Sequence, residues 1–100
     1  MARDPEVEDS AALIGERIRQ WRMVLGLSQE LVAERADVSV QVLVRIEHGE
    51  LGVRFGSFLS IVNVLGLDEK LTRMFDPLET DLGRMRAANT TRQRVKKVTQ

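Results

Sequence analysis

Apolar side chains along this chain recur at intervals of three and four residues, a helical period rather than the alternation of a strand. The only two prolines, Pro5 and Pro77, bracket the region where this pattern is clearest. The pattern predicts five short helices. The first runs from about Ala11 to Leu25, with Ser10 as N-cap, Leu13, Ile14, Ile18, Trp21 and Leu25 on one face, and Gly26 closing it. The second starts after the N-cap Ser28, turns Val32, Ala33 and Ala36 inward, and stops at Asp37. The third starts after the N-cap Ser39, buries Leu43 and Ile46 with Val42 beside them, and ends at Gly49. The fourth spans about Phe55 to Leu65 and stops at Gly66, with Phe55, Phe58, Leu59, Val62 and Leu65 as its stripe. The fifth is short, Asp68 to Phe75, capped by Asp68, with Leu71, Met74 and Phe75 inward. Beyond Asp76-Pro77 the period weakens to the rough spacing of Leu78, Leu82 and Met85, enough for another helical turn or two. After Ala87 an extended or disordered tail is expected. The expected fold class is all-α, a five-helix body between flexible termini.

Composition narrows the function classes. With 100 residues, 43% hydrophobic and 30% charged, the chain fits one small soluble domain. The formal net charge is zero, so the overall charge points to no partner. Its distribution is more telling. Residues 1–10 carry one basic and four acidic side chains, residues 11–75 eight of each, and residues 76–100 six basic and three acidic. The expected organisation is an acidic flexible N-terminus (1–10), a folded body (11–76) and a basic C-terminal extension (77–100). The end of that extension, RQRVKKVTQ, can meet phosphate or an acidic surface. The absence of cysteine excludes disulfides, thiolate nucleophiles and cysteine–zinc sites, and a single histidine cannot build a histidine-rich metal site. No phosphate loop and no nucleophile–histidine–acid set is present. No apolar run approaches the roughly 18 residues that span a bilayer, and MARDPEVEDS lacks a signal-peptide core. The expectation is a cytoplasmic, non-enzymatic protein with no cofactor, no metal and no membrane association.

The second and third helices are separated only by Asp37-Val38-Ser39. Two short helices joined so tightly cross steeply and need a small residue at the crossing, which Ala33 supplies. Such a pair can lay its second helix in a DNA major groove about 12 Å wide while the first crosses the backbone.

The stretch LIGERIRQWRMVLGLSQELVAERADVSVQVLVRIEHGE resembles the lambda-repressor-like (Xre/Cro) helix-turn-helix family. The resemblance extends from Leu13 to about Leu67. It rests on Gly-Leu-Ser-Gln at 26–29, Ala33, Val-Ser at 38–39 and Arg-Ile-Glu-His-Gly at 45–49, in that order and at those spacings. It implies that Ser28 and Gln29 open the second helix, the glutamine binding a DNA phosphate. It also implies that Ser39, Val40, Gln41, Val44 and Arg45 occupy the outward positions of the reading helix. Gln41 suits adenine, Arg45 guanine or a phosphate, and Val40 and Val44 thymine methyls. Arg22 and Glu47 match a structural salt bridge of the family rather than binding residues. Three features depart from the family. Asp37 stands where a left-handed glycine is usual, Val40, Val42 and Val44 replace polar residues, and Leu31 is apolar on a face that is usually polar. Less direct hydrogen-bond readout and more reliance on DNA shape follow. His48 reads as a helix-end residue.

The second half, with Val53-Arg54, Val-Leu-Gly-Leu at 64–67, Phe-Asp-Pro-Leu at 75–78 and Arg-Gln-Arg-Val at 92–95, resembles HipB-like antitoxins and regulators. These pair with HipA-like kinase toxins and repress their own operons. The resemblance implies that Arg54, with loop amides near Gly52, supports the phosphate backbone, and that the tail meets either DNA or toxin. The expected partners are double-stranded DNA bearing a palindromic operator, a second copy of the chain and a HipA-like kinase toxin. A regulator without a toxin partner is the alternative. Phe55, Phe58, Ile61 and Val64 leave more apolar surface than one small body needs, and Phe75, Leu78, Leu82 and Met85 are the expected homodimer surface.

Overall fold

The computed structural model describes residues 4–94, with side chains as far as residue 89, and all its regular structure there is helical. The helices are α1 (Pro5–Val24), α2 (Gln29–Ala36), α3 (Val40–Glu47), α4 (Phe55–Val64), α5 (Asp68–Met74) and α6 (Asp81–Arg94), with a 3-10 turn at Pro77–Glu79. The chain divides between Asp68 and Glu69 into two compact units.

In the first unit, α1 begins at Pro5, well before Ala11, and Ser10 lies inside it rather than capping it. The start signals are those of a strong helix N-terminus. Asp4 is extended, its Oδ1 accepts the Glu6 N–H at 2.7 Å, Pro5 occupies the first turn, and Glu6 and Glu8 face the positive end of the helix dipole. The acidic stretch is therefore the first two turns of a helix.

The core joins Ile18 of α1, Val32 and Ala36 of α2, Leu43 and Ile46 of α3, and Ile61 and Leu65 at α4. Val32, Leu43 and Ile61 are fully buried. Three expectations about inward faces are overturned. On α1 only Ile18 of the five-residue stripe is buried, and Leu13, Ile14, Trp21 and Leu25 are exposed. On α4 Phe55 is 70% exposed, whereas Ile61, expected to be surplus surface, is at the centre of the core. In the second unit Met74 and Phe75 are exposed rather than inward.

The reason on α1 is backbone proximity. Helix α1 meets the backbone at the end of α3 through small residues, and of its large apolar stripe only Ile18 reaches the core. A Cβ on Gly15 would stand 2.5 Å from the Ile46 carbonyl oxygen and 2.6 Å from that of Glu47. A Cβ on Gly49 would stand 2.6 Å from Ala12 Cα. Only glycine lets the two backbones meet here.

Helices α1 to α4 end alike, each with a left-handed residue followed by a doubled backbone hydrogen bond. Gly26, Asp37, Gly49 and Gly66 adopt φ of 71°, 56°, 78° and 75°. The next residues, Leu27, Val38, Glu50 and Leu67, return their N–H groups to Arg22, Ala33, Arg45 and Val62 at about 3.0 Å. This fixes the direction in which each connection leaves its helix.

In the second unit the chain is helical to Arg94, where an extended tail after Ala87 was expected. Thr80 Oγ1 accepts the Gly83 N–H at 2.9 Å, Asp81 sits in the first turn, and no proline follows. These local signals sustain α6 without an amphipathic period. Gly83 permits α6 to abut the 3-10 turn, since a Cβ there would overlap the Pro77 carbonyl oxygen. Lys96 and Lys97 of the basic end lie outside the described residues.

Substituting Gly15→Ala is expected to destabilise the first unit by about 1–3 kcal/mol, the range for overpacking a tight contact. The shift of the urea midpoint measures it, and an unchanged midpoint would contradict the close approach.

Candidate nucleic-acid interface

The tight turn between α2 and α3 is built locally. Asp37, at φ 56° and ψ 45°, is the one non-glycine with positive φ among the described residues. Its short polar side chain makes it one of the few residues that tolerate this conformation. Val38 then packs against the core, and Ser39 returns to extended backbone. Ser39 Oγ accepts the Val42 N–H at 3.2 Å, as Ser28 Oγ accepts the Leu31 N–H at 3.1 Å. Each serine therefore satisfies one N–H of its helix. The remaining N-terminal amides of α2 and α3 stay available, with the positive dipole end behind them. Ala33, 2% exposed, is buried as the expected small residue of the pair.

Helix α3 is strongly two-faced. Leu43, Ile46 and Glu47 are buried. At 100° per residue the opposite edge holds Gln41, Arg45 and His48, spaced four and three apart. Gln41 and His48 are exposed, and Val40, Val44 and Arg45 are half-buried along the same edge. Arg45 is not loose. Its Nε donates to Glu50 Oε1 at 3.0 Å. His48, the C-cap of α3, was read only as a helix-end residue. Its place seven residues after Gln41 was the available signal that it shares the outer edge. Arg54 is exposed at the start of α4, where it makes no side-chain capping bond. Its guanidinium and the first amides of α4 form a second group of donors in the loop that contains Gly52.

Gln29 is placed differently from the other predicted contacts. Its Nε2 donates to Glu47 Oε1 at 3.1 Å, so one of its two amide hydrogens is engaged inside the protein. Glu47 is buried, with its side chain 2% exposed. It also accepts Arg22 Nε at 2.7 Å and Arg22 Nη2 at 3.2 Å, while Arg22 Nη1 donates to the Leu27 carbonyl at 3.1 Å. The Arg22–Glu47 pair was expected. The third partner, Gln29, was not, because nothing in the local sequence brings residues 29 and 47 together. No buried side-chain nitrogen or oxygen among the described residues lacks a hydrogen-bond partner.

The predicted residues stand at or near the starts of three helices of the first unit. Ser28 and Gln29 open α2, Ser39, Val40, Gln41, Val44 and Arg45 line the first turns and outer edge of α3, and Arg54 opens α4.

The helix-turn-helix domain family matches residues 13–75, more than half of the chain. The chain belongs to the helix-turn-helix domain family. The match is to an Xre-like, DNA-binding domain of a kind that is typically non-catalytic. It takes in the helix-turn-helix of α2 and α3 together with most of α1, all of α4 and the α5 segment. No curated protein matches the chain. Within the described part of this helix-turn-helix protein, no helix is long and apolar enough to cross a membrane.

Because Glu47 holds α1, α2 and α3 together, Glu47→Gln is expected to lower the stability of the helix-turn-helix domain by about 3 kcal/mol, the scale for breaking a buried ion pair. Urea denaturation measures it. A midpoint equal to the parent's would show that the pair contributes nothing.

Proposed function

We propose that this chain is a sequence-specific transcriptional regulator that binds a palindromic operator as a homodimer and represses its own operon in the cytoplasm. The observation that carries the reading is the two-faced α3. Its buried face anchors it through Leu43, Ile46 and Glu47, and Gln41, Val44, Arg45 and His48 remain along the outer edge. A helix held in this way suits a major groove, where Gln41 pairs with an adenine edge and Val40 and Val44 meet thymine methyls. Ser28, the α2 amides, the free amide hydrogen of Gln29, Ser39 and Arg54 grip phosphates and set the register. The net charge is zero. Affinity therefore comes from these local donors rather than from a broad basic field.

Dimerisation is supported by exposed apolar side chains in the second unit. Phe75 is 73% exposed, Met85 65%, and Leu78 and Leu82 54% each. One helix-turn-helix makes few phosphate contacts, and a second copy on the other half-site multiplies binding through effective concentration. The finer reading is an autorepressor that also serves as the antitoxin of a HipA-like kinase toxin. The resemblance of residues 53–95 to HipB-like proteins supports it. Co-purification with a kinase-like protein encoded beside it is the expected outcome, and its absence from native extracts favours a regulator without a toxin.

Selection of duplexes from a randomised library is expected to enrich a palindrome whose affinity falls steeply with salt as counterions are released. Gln41→Ala should cost about 1–3 kcal/mol at one base position. Arg54→Ala should weaken all duplexes alike and reduce the salt slope by about one. Equal losses on enriched and random duplexes for Gln41→Ala would overturn its role in reading bases.

A further inference from the structure

The ends of α1, α2, α3 and α4 differ in one respect. After the left-handed residue, α1, α2 and α4 place an apolar side chain, Leu27, Val38 and Leu67, partly buried against the core. That is the usual companion of this helix ending. At the end of α3 the corresponding residue is Glu50, and it is exposed. Glu50 is tied twice to the same residue. Its N–H donates to the Arg45 carbonyl at 3.0 Å, and its Oε1 accepts Arg45 Nε at 3.0 Å. It cannot drift, because Gly49 immediately before it is seated on the backbone of Ala12.

As an ion pair this contact adds little to stability, since the Arg45 and Glu50 side chains are 43% and 50% exposed. Its consequence is orientation. The carboxylate engages Nε and leaves Nη1 and Nη2, the end of the guanidinium fork, without a hydrogen bond to any described residue. Gly52 lies beside this end of the fork, since a Cβ there would stand at ordinary contact distance, 3.8 Å, from Arg45 Nη2.

We propose that Glu50 is a positioning residue for DNA recognition, holding Arg45 so that its two terminal nitrogens meet O6 and N7 of one guanine. This rests on the reading of α3 as the base-contacting helix and specifies how Arg45 works there. A free arginine carries substantial rotamer entropy that base contact must remove. Glu50 removes part of it before DNA arrives. Its negative charge also disfavours poses in which Arg45 swings to a neighbouring phosphate. The contact thereby converts a general cation into a reader of one base.

The test uses the full chain and a duplex library with a randomised core, followed by affinities for the enriched duplex and a scrambled duplex of equal composition. Arg45→Ala is expected to erase preference at one guanine position. Glu50→Ala should lower the enriched-to-scrambled affinity ratio about three- to tenfold, the scale of immobilising one long side chain. Glu50→Gln keeps an acceptor for Nε and should recover a large part of that ratio. In the Arg45→Ala background, Glu50→Ala should have no further effect on the ratio. Far-UV circular dichroism checks that each variant is folded. If both Glu50 variants tighten the enriched and scrambled duplexes by the same factor, Glu50 only repels phosphate and the proposal fails. It also fails if Arg45→Ala alters no base position, or if Glu50→Ala leaves the ratio unchanged while the wild type enriches a clear motif. A library that the wild type does not enrich overturns the regulator reading itself, which is a separate result.

Discussion

The carboxylate of Glu47 is the constraint around which the first unit is arranged. A charge this deeply buried costs several kcal/mol unless it is paired and hydrogen-bonded. Here each oxygen is satisfied, one by Arg22 Nε and the other by Arg22 Nη2 and Gln29 Nε2. Those donors come from α1 and the first turn of α2, so one buried acid on α3 specifies the relative placement of three helices. The same region of α3 is pressed against Gly15 of α1 through the carbonyls of Ile46 and Glu47. Electrostatics and sterics act at one place, and together they leave α3 little freedom to rotate.

That immobility is what suits the opposite edge of α3 to the base-reading role proposed for it. Side chains that read bases must arrive in register, and register is lost if the helix can roll. Gln41 and Arg45 lie across the helix axis from the buried residues, so their direction follows from the anchoring of Glu47. Gln29 links the two roles of the domain, since its amide bonds the buried acid from the first residue of α2. In the proposed reading, the phosphate-facing start of α2 and the groove-facing edge of α3 would thus be set by one hydrogen-bonded group. In a chain with no net charge, the proposed binding rests on such local arrangement rather than on long-range attraction.

Much of this was legible in the sequence because it is encoded over short distances. Ser28 and Ser39 as caps, Asp37 as the end of α2, and Val32, Ala33, Ala36, Leu43 and Ile46 as inward positions follow from periodicity and helix-end chemistry alone, whereas the left-handed turn at Asp37 came from the family resemblance. The Arg22–Glu47 pair came from resemblance to a family, not from spacing. The misread parts have physical causes. Leu13, Ile14, Trp21 and Leu25 form a credible helical stripe, but α1 docks through Ala12 and Gly15, and a glycine in a helix signals close approach only when its neighbour is known. The start of α1 was hidden because a run of acids resembles a solvated terminus, although Asp4-Pro5 with Glu6 and Glu8 is also a strong helix start. Helix α6 lacks an amphipathic period, so capping and propensity carried information that hydrophobic spacing did not. The bonds from Glu47 to Gln29 and from Glu50 to Arg45 depend on how side chains turn in three dimensions.

The most direct test of the central claim, that the outer edge of α3 and the helix starts beside it meet DNA, is a backbone amide NMR titration of the labelled protein with an enriched duplex. The account predicts that the largest shifts fall at Ser28–Leu31, at Ser39–Arg45 and around Gly52–Arg54, with the amides of Val32, Ala33 and Ala36 moving least. Shifts concentrated elsewhere, with residues 39–45 unmoved at saturation, would contradict it.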